Sequence, residues 1–373
     1  MEKLIVTKWI LPYVSSKLNP NQFAYLPGTG KGTSVALTLL NDHILRFLDR
    51  KSGCVRLLAA DFSKAFDKLT FQSIMSAICK FNLPRQAAVF LSDFLCNRKQ
   101  RVRLRDEYSE WFDVTSGVPQ GSVVGPILFT LVIDSFAPIC SNSVCIKFAD
   151  DVSILHFVRD PCDDLLQMEW LHLEDWSLNV GLHLNYKKSV VMDFNTKKSL
   201  VMSPVLSRDG AHISNVTSLK LLGVTFSSDL TWNYHVSDIV SRCYRRLYIL
   251  RNLKRANCPP HIIYKCYVAF IRSVLLYCFP TFCNMPKYLL KKVVRVEKRA
   301  AKFFPEHEFC DFLAVADDTC RRLFDKVVRS DDHPLKALFD VRPPTRSNPC
   351  HLQAPFAKTC RFSNSFLRFG RPP

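Results

Sequence analysis

Asp150 and Asp151 stand side by side between two apolar runs, Cys145–Phe148 and Val152–Leu155. Adjacent carboxylates repel each other, and burial against strands would raise their pKa values. A hard divalent cation resolves both problems, because it takes carboxylate oxygens as ligands. Asp61 supplies a third carboxylate, at the end of the apolar run Val55–Ala60 and at the head of Asp61-Phe62-Ser63-Lys64-Ala65-Phe66-Asp67. Three carboxylates on rigid strands could hold two Mg²⁺ ions about 3.5–4 Å apart for in-line phosphoryl transfer. One ion would lower the pKa of an attacking 3′-hydroxyl, and the other would neutralise a triphosphate and its leaving pyrophosphate. Each group also has a plainer reading: Asp is a common turn residue, and Asp61 is placed to cap a helix.

Between the carboxylates lies Ser116-Gly117-Val118-Pro119-Gln120-Gly121-Ser122-Val123-Val124-Gly125-Pro126. Its glycines let backbone approach a ligand closely, and Gln120 offers an amide to a base or sugar. The same residues suit a loop and helix start, with Ser116 or Ser122 as the cap. Pro27–Thr33 invites a nucleotide-loop reading. Tyr25 stands where the first glycine of that motif belongs, Lys31 is followed by Gly32, and no apolar strand precedes it, so a flexible connection fits better.

These groups need elements to position them. Ser34 can cap a helix running to about Asp49, and Val55–Ala60 reads as a buried strand. Helices are expected over Thr70–Phe81, Pro84–Cys96, Ser122–Phe136 and Asp163–Asn179. Strands are expected over Leu182–Asn185, Ser189–Phe194 and Leu219–Phe226. The flanks of Ala149-Asp150-Asp151 read as strands, and the Ala-Asp-Asp centre as the turn of a hairpin. Arg98–Arg105 alternates basic and apolar residues, so it predicts a strand with one cationic face that Trp111–Thr115 can pair with. From His235 onward the pattern is helical.

The chain has 373 residues, 48% hydrophobic, with Lys+Arg 51 against Asp+Glu 33 and a net charge of +18. That is enough for two or three subdomains, and such an excess favours a polyanionic partner, nucleic acid before membrane surface. Between Ser241 and Lys302 fifteen cations face a single acid, Glu297. A solvated helix face usually mixes signs, so this segment reads as a phosphate-binding surface. Ser122–Asp134 is too short to cross a membrane, and Lys265 and Arg272 interrupt Ile262–Cys283. The N-terminus has no signal-peptide pattern. An odd count of fifteen cysteines without C-x-x-C spacing reads as reduced thiols, and the group Cys310, Cys320, Cys350, His351 and Cys360 lacks zinc-module spacing.

In their order and spacing these blocks resemble the reverse transcriptases of non-LTR, LINE-type retrotransposons. Asp61–Asp67 resembles that family's motif A, Ser116–Pro126 motif B and Phe148–Asp151 motif C. Asn185–Ser189 resembles motif D, and Leu219–Val224 motif E. The likeness runs from Glu2 to about Phe304 and returns at Arg361–Phe366. Relatives carry an Arg-Pro-Ile-type block upstream of the Glu2–Ile5 phrase, arginine in many cases where Leu26 stands, and an N-terminal endonuclease. The fingers are therefore expected to be partial, the chain N-terminally truncated and its C-terminus cut short.

The resemblance implies an α/β (α+β) polymerase palm with partial fingers, followed by an all-helical thumb. Residues 1–60 would be partial fingers and the entry to the palm. Residues 61–234 would be the palm, with a finger-like insertion at about 70–115. Residues 235–304 would be the basic thumb, and 305–373 a connection and loosely ordered basic tail. The implied activity is RNA-directed DNA polymerisation with two Mg²⁺ ions, Mn²⁺ being an alternative, on an RNA template, a DNA primer or target, and dNTPs. Asp61, Asp150 and Asp151 would be catalytic metal ligands, with the Phe62 carbonyl as a further ligand. Lys188 would protonate pyrophosphate or stabilise its charge. Phe66 would exclude a ribose 2′-hydroxyl, unless it is simply a core aromatic. Gln120, Gly121, Phe148 and Ala149 would line the nucleotide pocket, and Leu222 and Gly223 the primer grip. Arg101, Arg103, Arg245, Arg246, Lys254, Arg255, Lys291, Lys292 and Arg295 would hold nucleic-acid backbone. The expected location is intracellular, in the nucleus when acting on chromosomal DNA. A non-catalytic relic that only binds nucleic acid, and an intron maturase-type reverse transcriptase, are the alternatives.

Overall fold

Helix α1 is Thr33–Asp49, and it leads into strand β1, Cys54–Ala60, whose side chains are almost all buried. The structure, a computed structural model, describes residues 1–26, 30–50, 53–195, 202–305, 311–341 and 351–370. Pro27–Thr29, Cys310, Cys350 and parts of the basic tail (342–350 and 371–373) lie outside the described residues. Ser34 sits inside α1 rather than at its cap, because the helix starts one residue earlier.

Helix α2, Phe71–Lys80, is capped by Thr70, whose side chain accepts the Ser73 N–H at 3.2 Å; it buries Ile74, Ala77 and Ile78 at helical spacing. Helix α3, Arg85–Leu95, follows Pro84 and buries Ala87, Leu91 and Leu95. Helix α4, Val124–Ile133, is buried on nearly every side, as its unbroken apolar run requires. Strands β2, Ser143–Phe148, and β3, Asp151–Val158, form the expected hairpin. Helix α5 is Leu166–Asn179; it starts later than expected because Pro161–Asp163 makes a separate 3₁₀ turn. Strand β4 is Val190–Asn195 and β5 is Ser214–Asn215. The sheet order is β2-β3-β1-β4-β5, so β1 lies between the hairpin and β4.

Two expectations fail here. Leu182–Asn185 forms no strand; it contributes one bridge, Leu184 to Phe62. Arg98–Arg105 is broken into Lys99–Gln100, paired with Phe112–Asp113, and Arg103–Leu104, paired with Glu107–Tyr108. A tight turn at Arg105, with φ 55°, folds the ribbon back on itself before Trp111 is reached.

The chain divides into two compact units. Unit 1 comprises Met1–Gly32, Arg56–Val191 and Val201–Asn215. Its core gathers Leu58, Ala60, Leu69, Leu91, Phe129, Val152, Ile154 and Trp170.

Unit 2 comprises Thr33–Val55, Met192–Leu200 and Val216–Pro373. It opens with strands β6, Ser218–Leu221, and β7, Val224–Ser227. Leu219–Phe226 is thus a hairpin and not one strand: Leu222 and Gly223 both take positive φ, 44° and 87°, and reverse the chain in two residues. Then come helices α6, Asn233–Arg255, α7, Pro260–Tyr267, α8, Lys287–Ala301, and α9, Phe312–Arg329. The Arg361–Phe366 phrase belongs to a segment tied to the end of α1. Asp49 accepts the Lys358 N–H at 2.8 Å, and both the N–H and the hydroxyl of Thr359 at 2.7 Å. Among the described residues no helix is long and apolar enough to cross a membrane.

Candidate active site

Asp61 follows β1, and its backbone is held from both directions. Its N–H donates to Ser189 Oγ at 3.1 Å and its carbonyl accepts the Asn185 N–H at 2.8 Å. Residues 185–189 turn tightly, with the Lys188 and Ser189 N–H groups donating to the Asn185 carbonyl at 3.1 and 2.8 Å. That turn carries the Lys188 ammonium to 3.8 Å from Asp61 Oδ2.

Asp150 and Asp151 sit at the tip of the β2–β3 hairpin. Phe148 pairs with Asp151, which leaves Ala149 and Asp150 as the two-residue turn. Ala149 takes φ 54° and is buried, so alanine occupies a left-handed turn position where glycine is usual. The Asp151 carboxyl is pushed up to about 6, first by loss of hydration and then by the charges of Asp150 and Asp61. Tyr25, in an unusual positive φ of 58°, lies within electrostatic reach of Asp150.

Asp151 therefore feels the charges of both other carboxylates. Among the described residues no group of three His, Cys, Asp or Glu side chains closes to metal-holding geometry. The donor set nevertheless suits a hard cation: oxygen only, with a mutual repulsion that a divalent ion would relieve.

The Ser116–Pro126 loop is stitched to the segment after Asp61. Gly117 N–H donates to the Leu69 carbonyl at 2.7 Å, Val118 N–H to the Phe66 carbonyl at 2.9 Å, and Ser116 Oγ to the Asp67 carbonyl at 3.0 Å. Gly117 has φ 76°, and a Cβ there would lie 2.7 Å from Asp67 and Phe66 backbone, so only glycine allows this approach. Gln120 donates through Nε2 to Asp67 Oδ1 at 2.8 Å. Gly121 has φ 83° and open space around it. Phe66 stacks on Phe129 of α4 with centroids 4.5 Å apart, so it joins the site loop to the core. A groove of about 860 Å³ runs beside this loop, lined by Lys64, Lys68, Arg98, Lys99, Ser116 and Gln120 among others.

Two residues missed by sequence reasoning hold α4, the helix that follows the loop. Glu2 accepts the Val123 N–H at 2.7 Å at its N-terminus. Lys147 is fully buried and donates to the carbonyls of Ile133, Asp134 and Phe136 at 3.1, 3.2 and 2.8 Å at its C-terminus. A carboxylate at the positive end and an ammonium at the negative end both oppose the helix dipole. Leu26, placed where relatives carry arginine, is buried in the unit 1 core.

Arg101 lies over the rings of Tyr108 and Trp111, 3.9 and 4.6 Å from their centroids, and Arg103 over Tyr108 at 5.5 Å. In unit 2 the Leu222 carbonyl accepts the Tyr277 hydroxyl at 2.8 Å, and Gly223 is close to the same ring. Arg245, Lys254, Arg255, Lys291, Lys292 and Arg295 are exposed, while Arg246 is half-buried and donates to the Phe270 carbonyl at 2.6 Å. Arg272 is buried against Glu297 at 3.3 Å, with Tyr267 donating to the same carboxylate. This pair removes the only acid of Ser241–Lys302, leaving fourteen cations there and no exposed acid.

The family model for "Reverse transcriptase (RNA-dependent DNA polymerase)" matches residues 1–226. The probable RNA-directed DNA polymerase from transposon BS of Drosophila melanogaster is 28% identical over 63% of this chain and 26% of its own length. The corresponding protein of the transposon X-element, from the same organism, is 27% identical over 65% of this chain and 27% of its own. The chain thus spans about a quarter of the length of these curated relatives. Among solved structures, apo telomerase from Candida tropicalis aligns with a TM-score of 0.48 at 11% identity, over 87% of this chain and 54% of that one.

Proposed function

The chain belongs to the reverse transcriptase (RNA-dependent DNA polymerase) family, its matched part being of the non-LTR retrotransposon type, and from that premise we propose that it extends a DNA primer 3′-end with dNTPs on an RNA template. The observation that supports this reading is that the charges of Asp150 and Asp61 act on Asp151 at the ends of adjacent strands, with Lys188 beside Asp61.

Asp61, Asp150, Asp151 and the Phe62 carbonyl would hold the two Mg²⁺ ions, or Mn²⁺. When bound, the ions supply Lewis acidity toward the primer hydroxyl and the triphosphate. The protein's own residues do the rest. Lys188 lies close enough to Asp61 to meet charge developing on a leaving pyrophosphate, as a proton donor or as a fixed cation. Gln120 is oriented by Asp67, and Gly121 leaves open space, so a sugar or base can approach backbone. Phe148 and Ala149 would line the nucleotide pocket. Phe66, pinned by Phe129, is a rigid wall that a 2′-hydroxyl would meet.

The Leu222–Gly223 turn, braced by Tyr277, would act as the primer grip, and α6–α8 as a thumb. Arg101, Arg103, Arg245, Arg246, Lys254, Arg255, Lys291, Lys292 and Arg295 would contact phosphates, giving backbone rather than sequence recognition. In a cell this chemistry would act on chromosomal DNA in the nucleus. Extension of a labelled DNA primer on an RNA template, dependent on Mg²⁺ and arrested by chelation, tests the proposal. Tight hybrid binding without any incorporation would contradict it.

A further inference from the structure

Within unit 2, α6 and α8 frame a groove of about 800 Å³. Arg251 and Lys254 reach it from α6, Arg299 from α8, and Lys302 from the end of α8; no acidic side chain lines it. Lys254 Nζ donates to the Lys302 carbonyl at 3.1 Å, which ties the two helix ends together. Tyr244 and Tyr248 add aromatic surface, one helical turn apart. Tyr248 is 62% exposed, and the Arg299 guanidinium already lies over the Tyr244 ring, 4.9 Å from its centroid.

Gathered cations without an acid repel one another, and a polyanion relieves them. A small anion would leave the exposed ring unused. A duplex presents phosphates but keeps its base faces stacked inside. Only a single strand offers phosphate and free base faces together, which is the pairing of a basic groove with aromatic platforms. The volume matches one or two nucleotides.

We propose that this groove binds single-stranded RNA. The choice of RNA over DNA rests on the RNA-directed reading above, because the growing DNA is paired and the RNA extends unpaired beyond the hybrid. Stacking on Tyr248 would hold one base while Arg251 and Arg299 follow the backbone.

Fluorescence anisotropy on the intact chain tests this, with a fluorescein-labelled unstructured RNA of about ten nucleotides, a single-stranded DNA of the same sequence, and a blunt RNA–DNA hybrid. Tyr248→Ala should weaken RNA binding about tenfold and leave the hybrid unchanged, while Tyr248→Phe should retain wild-type binding. Arg251→Gln with Arg299→Gln should flatten the salt dependence by about 1.4 units of slope, two contacts at about 0.7 each. Unchanged RNA binding in Tyr248→Ala, or an equal loss on the blunt hybrid, would overturn the groove assignment. Stacking and phosphate contact are shared by both strands, so single-stranded DNA should bind within a few-fold of RNA; single-stranded DNA bound while RNA is not would overturn the choice of RNA. Primer extension on the same preparation judges the polymerase reading separately: its failure with the binding pattern intact would contradict that reading alone.

Discussion

Lys188 holds its ammonium 3.8 Å from Asp61 Oδ2, and the turn that places it also clamps the Asp61 backbone through Asn185 and Ser189. The pair is largely open to solvent, so it adds little to folding stability. Lys188→Met should therefore leave thermal stability within about 0.5 kcal/mol. It should slow single-turnover nucleotide addition about 100-fold if Lys188 works as a general acid, with partial recovery in Lys188→Arg. Wild-type addition rates in Lys188→Met would remove Lys188 from the chemistry.

Gly117 and Gly121 look alike in sequence and differ in the fold. Gly117→Ala combines a positive φ with a Cβ forced to 2.7 Å from Asp67 backbone, and should cost about 3 kcal/mol or more in urea unfolding. Gly121→Ala has only the strained φ, and should cost about 1 kcal/mol. Equal losses at the two positions would contradict the close packing of the site loop on the Asp61–Asp67 segment.

Lys147→Met keeps a long apolar stem but strips the carbonyls of Ile133, Asp134 and Phe136 of their cationic donor. Denaturant unfolding should show a loss of about 2–4 kcal/mol. Glu2→Gln, at the other end of α4, should lose no more than about 1 kcal/mol. A stable Lys147→Met protein would mean that α4 does not depend on this contact.

Two buried histidines of unit 2 set a pH dependence. His235 and His333 are 2% and 3% exposed, and each accepts a backbone N–H at Nδ1, from Thr225 and from Leu335. Burial pushes both imidazoles down to about 4. Unfolded histidine titrates near 6.5, so between about pH 6.5 and 4 the unfolded chain binds protons that the folded chain refuses. Stability present above that window is lost as pH falls through it, roughly 1–2 kcal/mol per histidine by pH 5. Asp42 and Glu297, pushed up to about 7 and about 8 mainly by burial, gain stability as pH falls through the same range, so the histidine contribution is the difference between two curves. From pH 7 to pH 5 the wild-type thermal midpoint should fall relative to that of the double variant His235→Gln, His333→Gln. Parallel curves for the two proteins would show that these imidazoles are not held neutral.

What the sequence made legible was whatever a local pattern encodes. The apolar run into Asp61, the two runs around Asp150-Asp151 and the helical periods of α2, α3 and α8 all depend on neighbours within a few residues. What stayed hidden depends on distant partners. Lys147 sits in an ordinary strand alternation, and nothing nearby says that its stem turns inward to cap a helix. Counting charges found the basic segment but could not tell that Arg272 and Glu297 bury each other. Leu219–Phe226 reads as a strand because Leu222 gives no hint of a left-handed backbone, although Gly223 beside it is a turn signal. The Arg98–Arg105 ribbon keeps strand alternation, yet its ladder is interrupted at Arg101–Val102 and its turn at Arg105 folds it back.

The central claim is that Asp61, Asp150 and Asp151 form one catalytic centre. Primer extension on an RNA template with Mg²⁺, run beside hybrid binding for wild type and Asp150→Asn, tests it most directly. The account expects incorporation by the wild-type chain, loss of at least about 1,000-fold in Asp150→Asn, and hybrid affinity within about twofold of wild type. Undiminished incorporation by Asp150→Asn, or none by the wild-type chain while it binds the hybrid, would contradict the account.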